Sequence, residues 1–165
     1  LGDGWVPETH TPETYKSTLE RLREKVEECG REPESLEPYL GVIFYPFEPG
    51  ERECAELLEA AKRYLATYPD ILREARAGDW HPGLRVHRVV LDRELRSRLA
   101  DRVPDQIADA MMIYGRLEEC VERAARFADA GCEPLILEPY WIDPRDIGEA
   151  IELAGRLTRE LETRF

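Results

Sequence analysis

EPYLGVIFYPFEPG, residues 37–50, carries six residues from Leu40 to Tyr45 that are almost all apolar, with β-branched and aromatic members and a proline on either side. A strand with one wet face alternates polar and apolar residues. A strand covered on both faces reads instead as a nearly continuous apolar run, as this one does. A second run of the same kind, EPLILEP, stands at 133–139. A very short third one, Trp5-Val6, follows Gly-Asp-Gly and ends at Pro7. The fold then depends on what separates these strands.

Amphipathic helices separate them. In THTPETYKSTLERLREKVEECGR, Thr11 suits the N-cap, Pro12 the first helical position and Glu13 the positive end of the dipole. Tyr15, Leu19, Leu22, Val26 and Cys29 recur at helical spacing, and Gly30 closes the helix. ERECAELLEAAKRYLATYP turns Leu57, Leu58, Ala61, Tyr64, Leu65 and Tyr68 inward. Residues 116–130 carry Leu117, Cys120, Val121, Ala124, Phe127 and Ala128 on one face and stop at Gly131. Asp143-Pro144 starts a last helix with Ile147, Ile151, Ala154, Leu157 and Leu161 inward. Residues 69–114 are less regular and read as three or four short helices broken at Gly78, Pro82-Gly83 and Pro104, with Met111, Met112 and Ile113 expected to pack under the barrel that the α/β pattern suggests.

Apolar strands alternating with amphipathic helices imply right-handed βαβ units and a parallel sheet. Three strands are few for such a sheet, and the chain opens without methionine. Both features suggest the latter part of a larger α/β array, of which a (β/α)8 barrel is the commonest sort. An open doubly wound sheet fits the same pattern.

Composition narrows the function. The 35 acidic and 23 basic residues give a formal charge of −12, which argues against nucleic acid or an anionic membrane as partner. No apolar run reaches the ~20 residues of a membrane span, so a cytoplasmic protein is expected. Cysteines 29, 54, 120 and 132 form no CxxC pair and have no close histidine. They read as reduced, buried thiols with no zinc signal.

The order of these segments resembles the bacterial luciferase-like monooxygenase superfamily. Its members carry an A-x-x-x-D-G-W segment, a helix ending AGRDPDEI and then a strand; here LGDGWVP leads through a Pro-started helix to EECGREPESLEPYLGVIFYP. Further on, VPDQIADAMMIYGRLEECVERAARFADAGCEPLILEPYW is similar to the family's closing segment, a-G-[TD]-P-E-E-V, then AG and an apolar strand. The resemblance covers nearly the whole chain. It departs at Arg116-Leu117, where the family has Thr or Asp and then Pro, and at AGDWHPGLRVHRVV, which is rich in Arg and His.

The resemblance implies that residues 1–165 are the C-terminal portion of a TIM barrel, about strands six to eight, with residues 69–114 as a helical insertion or lid before the last strand. It implies a deazaflavin (coenzyme F420) or FMN as cofactor and a small organic molecule as substrate. The family's Gly-rich phosphate segment and its usual catalytic acid or histidine belong to the five preceding βα units. No counterpart stands here, and no catalytic residue is assigned.

In a barrel, ligands meet the C-terminal ends of strands. That rule selects Trp5 to His10, Phe44 to Phe47 and Glu138 to Trp141. Trp5 either walls the flat rings of a cofactor or fills the barrel rim. Gly115, before a helix, is the nearest candidate for a cofactor phosphate. His10 is a candidate substrate residue, since some members of the superfamily place a basic phosphate ligand near this point, against a surface histidine. Phe44, Tyr45 and Tyr140 are candidates for substrate contact. Glu138 ends an apolar strand, where desolvation suits a carboxyl to acid–base work, against a structural ion pair with arginine. His81 and His87 face substrate from a lid or stand in solvent.

Two functions stay open at this level. One is hydride transfer between a deazaflavin or FMN and a small substrate. The other is a non-catalytic partial barrel that closes its sheet against a partner chain or a second copy, as a homo-oligomer. A metal-dependent barrel using Asp3, His81, His87 and Glu138 is disfavoured, because its two histidines fall outside the strands.

Overall fold

The apolar run forms a strand, and that strand reaches further back than the run itself. The computed structural model describes residues 2–7, 10–47, 50–67, 92–139 and 146–164. In chain order its elements are β1 (Gly4–Trp5), α1 (Pro12–Glu28), a 3-10 turn (Pro33–Ser35), β2 (Glu37–Pro38), β3 (Leu40–Tyr45), α2 (Glu51–Leu65), α3 (Arg93–Ala100), α4 (Asp105–Ala110), β4 (Met112–Tyr114), α5 (Leu117–Asp129), β5 (Leu135–Pro139) and α6 (Ile147–Glu162). They fall into two compact units, residues 1–48 with 113–165, and residues 49–112.

In the first unit β1 pairs in parallel with β2, and β3 pairs in parallel with β5 in the register Leu40 to Leu135 through Phe44 to Pro139. Only Tyr39 separates β2 from β3, and the hydrogen bonds run through it. Glu37 N–H donates to Asp3 O at 2.9 Å, Tyr39 N–H to Trp5 O at 2.8 Å and Gly41 N–H to Pro7 O at 3.0 Å. Residues 37–45 are therefore one strand, bonded on one edge to β1 and on the other to β5. Gly115 N–H donates to Tyr45 O at 3.2 Å. Successive backbone groups alternate between edges, so β4 continues the edge that β1 begins.

This parallel α/β arrangement agrees with the sequence pattern. β4 does not. Met111, Met112 and Ile113 are expected to pack under the barrel, and Met112–Tyr114 forms a third neighbour of β3 instead. Three residues are too few to show a period, so only the distant partner decides their conformation.

One face of the sheet carries the helices. Leu40, Val42 and Phe44 of β3 are buried with Tyr15 and Leu19 of α1, Val121, Ala124 and Phe127 of α5, and Leu157 of α6. Leu135 and Leu137 of β5 pack against the same cluster. The helix faces follow the expected spacing, with two corrections. Cys29 is exposed, because α1 ends there and the chain turns away through Gly30 at φ 74°. Ile147 and Ile151 are exposed, while Ala150 and Leu157 are buried. The small Ala150 lets α6 approach its neighbours along a line rotated from the isoleucines.

Helix ends are built as the sequence indicates. Thr11 Oγ1 accepts from Thr14 N–H at 3.2 Å and Thr14 Oγ1 accepts from Thr11 N–H at 3.0 Å, a reciprocal box ahead of Pro12. At α5, Glu119 Oε2 accepts from Arg116 N–H at 2.8 Å. Gly115 sits beneath that carboxylate at φ +106°, and a Cβ there would lie 2.5 Å from Glu119 Oε2. The buried Cys120 thiol donates back to Gly115 O at 3.4 Å.

The second unit is helical where it is described. α2 packs on α3 and α4, burying Leu57, Ala61, Leu65, Leu99, Ala100 and Ala108. Lys62 pairs with Asp105 between α2 and α4. Asp92 caps α3 by accepting from Leu95 N–H at 2.8 Å. Of the expected insertion at 69–114, residues 69–91 with His81 and His87 lie outside the described residues, as does the Asp143-Pro144 start of the last helix.

Burial pushes the Cys132 thiol up to about 11 and the Cys120 thiol up to about 12, because desolvation opposes the thiolate. A folded pKa above the unfolded value means that the native chain holds protons the unfolded chain releases. The resulting stability is complete below about pH 9 and is lost as pH rises toward 11 to 12. Urea midpoints are therefore expected to fall over that alkaline range, and at neutral pH a thiol reagent should modify Cys29 at once but Cys120 and Cys132 only as the chain unfolds. Phe44→Ala should cost about 3–5 kcal/mol in urea denaturation. Gly115→Ala should cost about 1–3 kcal/mol through its strained φ, whereas Glu119→Gln, which keeps an acceptor over Arg116 N–H, should cost much less.

Candidate functional site

Side chains alternate across a strand, so the residues that do not face the helices share the opposite face. On β3 these are Gly41, Ile43 and Tyr45. On β5 they are Ile136 and Glu138, with Gly41 in register with Ile136 and Ile43 with Glu138. Val6 follows β1. Val6 is 60% and Ile136 41% exposed, whereas Ile43 is 5% exposed, so this face is open at its flanking strands and covered along β3. At its C-terminal end stand Tyr45, Glu138 and, one turn of chain beyond Tyr45, Phe47. The Tyr45 and Phe47 rings meet edge to face at 5.4 Å.

Tyr45 and Glu138 are thus the two expected site residues that the fold brings to one face and one end. Both are half-buried, and each has an interaction partner in the structure. Tyr45 offers a phenol and a flat ring. Glu138 offers a carboxylate beside the apolar Ile43, its partner in register.

Trp5, His10 and Phe44 go elsewhere. The Trp5 indole stacks on Tyr15 at 5.0 Å with 20° between the planes and packs against the core between sheet and helices. His10, expected at the surface or on a ligand, is only 5% exposed. Its ring stands edge-on to Trp5 at 5.6 Å and to Tyr15 at 6.2 Å. The trio fastens β1 to α1. Phe44 is 2% exposed among the helix-facing residues, so its ring belongs to the core and presents no surface to a substrate. It follows Ile43 by one residue, and a shift of one residue changes the face.

Gly115 does not form an open cradle for phosphate. The helix end after it is already occupied by the Glu119 carboxylate, whose charge opposes a second anion. The glycine is needed because that side chain folds over it. Arg123 lies over the Tyr114 ring at 4.1 Å in the same corner. Tyr140, Trp141 and the loop after β5 lie outside the described residues.

Val6 and Ile136 were not selected from the sequence, although Ile136 stands two residues before Glu138. Their signal is the two-residue period of a strand, which acquires a direction only once the helix-bearing face is known. Among the described residues, no group of three or more His, Cys, Asp or Glu is placed to hold a metal ion. No helix among them is long and apolar enough to cross a membrane.

A flavin or deazaflavin needs a flat apolar bed for its rings and donors for its phosphate. The face with Tyr45, Phe47, Val6 and Ile136 suits the first requirement. For the second, the turn at Gly115 is closed by Glu119.

Comparison with solved structures places this architecture. The chain superposes on a coenzyme F420-dependent tetrahydromethanopterin reductase from Methanopyrus kandleri with a TM-score of 0.62 and 18% identity, over 94% of this chain and 44% of the other. An F420-dependent secondary alcohol dehydrogenase in complex with an F420-acetone adduct gives 0.68 and 18%, over 97% and 43%. A long-chain alkane monooxygenase gives 0.54 and 18%, over 99% and 37%. The chain spans less than half the length of each. No curated protein matches it. The family model of the luciferase-like monooxygenases matches residues 1–133, from the strand that carries Trp5 to the turn before β5. The chain belongs to the luciferase-like monooxygenase family.

Proposed function

We propose that the intact protein is an oxidoreductase that moves a hydride between a deazaflavin (coenzyme F420) or FMN and a small organic substrate, and that this chain supplies the strand ends corresponding to about strands six to eight of its TIM barrel. The observation that carries the reading is the parallel ladder through residues 37–45. It brings Tyr45 and Glu138 to the C-terminal ends of adjacent strands, on the face away from the helices, in a chain of the luciferase-like family. Two of the similar structures are of F420-dependent enzymes, which favours the deazaflavin over FMN.

The cofactor, when bound, supplies the hydride acceptor or donor, and the protein supplies orientation and electrostatics. The apolar bed of Val6 and Ile136 excludes water from one side of the reacting centre. Tyr45 gives a ring edge and a hydroxyl at the mouth. Glu138 holds or takes the proton that accompanies hydride transfer at a substrate oxygen, at its carboxylate oxygens. The cofactor phosphate is held outside the described residues. Five further βα units, on the same polypeptide or on a partner chain, complete the barrel and its catalytic set. Assembly as a homo-oligomer, with no nucleic acid or membrane partner and in the cytoplasm, belongs to the same proposal.

Fluorescence titration of the complete protein should show one of the two cofactors binding, and binding of neither would sink the reading. In that protein Glu138→Gln should lower kcat by about 10²–10⁴ with cofactor affinity unchanged. An unchanged kcat would remove Glu138 from the chemistry and leave it a structural carboxylate. The 165-residue chain alone should show no turnover with either cofactor.

A further inference from the structure

Apolar side chains scattered singly over a surface are ordinary, but a concentration of them marks an interface. Among the described residues the exposed large hydrophobics are Val6, Ile136, Ile147 and Ile151, and they are not scattered. Val6 follows β1, at one edge of the sheet. Ile136 lies on β5 and the other two on α6, the helix after β5, at the opposite edge.

The β5 edge is unpartnered in three layers. In the sheet, β5 pairs among the described residues with β3 alone. Every second backbone group of Leu135–Pro139 therefore points away from the sheet, and an apolar strand with such an edge is a template for another strand. On the face away from the helices, Ile136 is half-exposed. In the helix layer, α6 packs on α5 and buries Ala150 and Leu157. Ile151 lies about 100° round the helix from Ala150 and is 66% exposed, and Ile147 above it is 46% exposed. A helix with a second apolar strip beside the first is built for a second neighbour.

The three layers restrict what can cover them. A lone extended peptide would pair with β5 and reach Ile136 but leave the α6 isoleucines in water. A lone helix would do the reverse. A strand followed by a helix meets all three, provided that the strand runs parallel to β5, so that its helix comes to lie beside α6. A second copy of this chain would bring β1 and α1 to that place. The apolar residues of α1, Tyr15, Leu19, Leu22 and Val26, are taken up by its own core, and Glu13, Lys16, Glu20 and Glu24 occupy its exposed surface. That helix offers nothing to two isoleucines. The solved structures that share this fold over 94–99% of the chain continue beyond it for more than half of their own length.

We propose that the free edge of β5 and Ile147 and Ile151 of α6 form one docking surface for a further βα unit. Its strand adds in parallel to β5 with an apolar side chain on Ile136, and its helix lies beside α6 with apolar residues on both isoleucines. The inference rests on the barrel reading above and names where the added units join.

Cysteine labelling of the complete protein with a maleimide tests this, in a Cys29→Ser, Cys54→Ser background. Ile151→Cys should react at least about tenfold more slowly than Arg156→Cys, which is exposed on the same helix about 140° away. Equal rates overturn the proposal. Protection that disappears on dilution as the mass halves also overturns it, because a second copy then covers the face. Hydrogen exchange in the unsubstituted complete protein gives an independent reading. The β5 amides that point away from β3 should exchange as slowly as those bonded to it, and fast exchange refutes the added strand. Cofactor titration separates this inference from the proposed function. A protein that binds deazaflavin or FMN while Ile151→Cys labels freely refutes the docking surface alone. One that binds neither while Ile151→Cys is protected refutes the function alone.

Discussion

The strand at 37–45 is hydrogen-bonded along both edges, to β1 and β4 on one side and to β5 on the other. Everything else in its unit is arranged around that constraint. Backbone groups with no access to water must find partners, and a central strand does so only if its neighbours come from elsewhere in the chain. Leu135–Pro139, more than ninety residues downstream of Leu40–Phe44, is one neighbour. Gly4–Trp5 is the other. The parallel direction of both pairs forces a helix between each, and α1 and α5 cover the face where Phe44, Val42 and Leu40 lie.

That covering divides chemistry from packing. Helix-facing residues are locked among aromatic and aliphatic neighbours: Trp5 on Tyr15, His10 between them, Phe44 against the helices. Residues one step along the same strands face the other way, where Val6, Ile136, Tyr45 and Glu138 stand. This alternation leaves Tyr45 and Glu138 at the C-terminal ends of adjacent strands, on the face away from the helices.

Local chemistry explains the small features. The Thr11–Thr14 box and Pro12 start α1, and Gly30 ends it at positive φ. Gly115 is dictated by the Glu119 carboxylate folded over it, a contact within four residues. In the family pattern the same place carries Thr or Asp and then Pro. Here the cap is made by a side chain three positions inside the helix, reaching back to Arg116 N–H.

The sequence by itself determined the parallel α/β class, the core faces of α1 and α5, and the family. Each follows from signals within a few residues or within one helix: apolar runs bounded by prolines, stripes at helical spacing, caps, and an ordered set of short motifs. Only the tertiary structure decided that Met112–Tyr114 is a strand, that Ile147 and Ile151 stand outside the buried line, and that Phe44 and His10 are buried in packing while Tyr45 and Glu138 share the face away from the helices. The reason is physical. An apolar run covered on both sides has no polar residues to mark which side is which, and strand register, set by hydrogen bonds between residues far apart in the chain, assigns the faces.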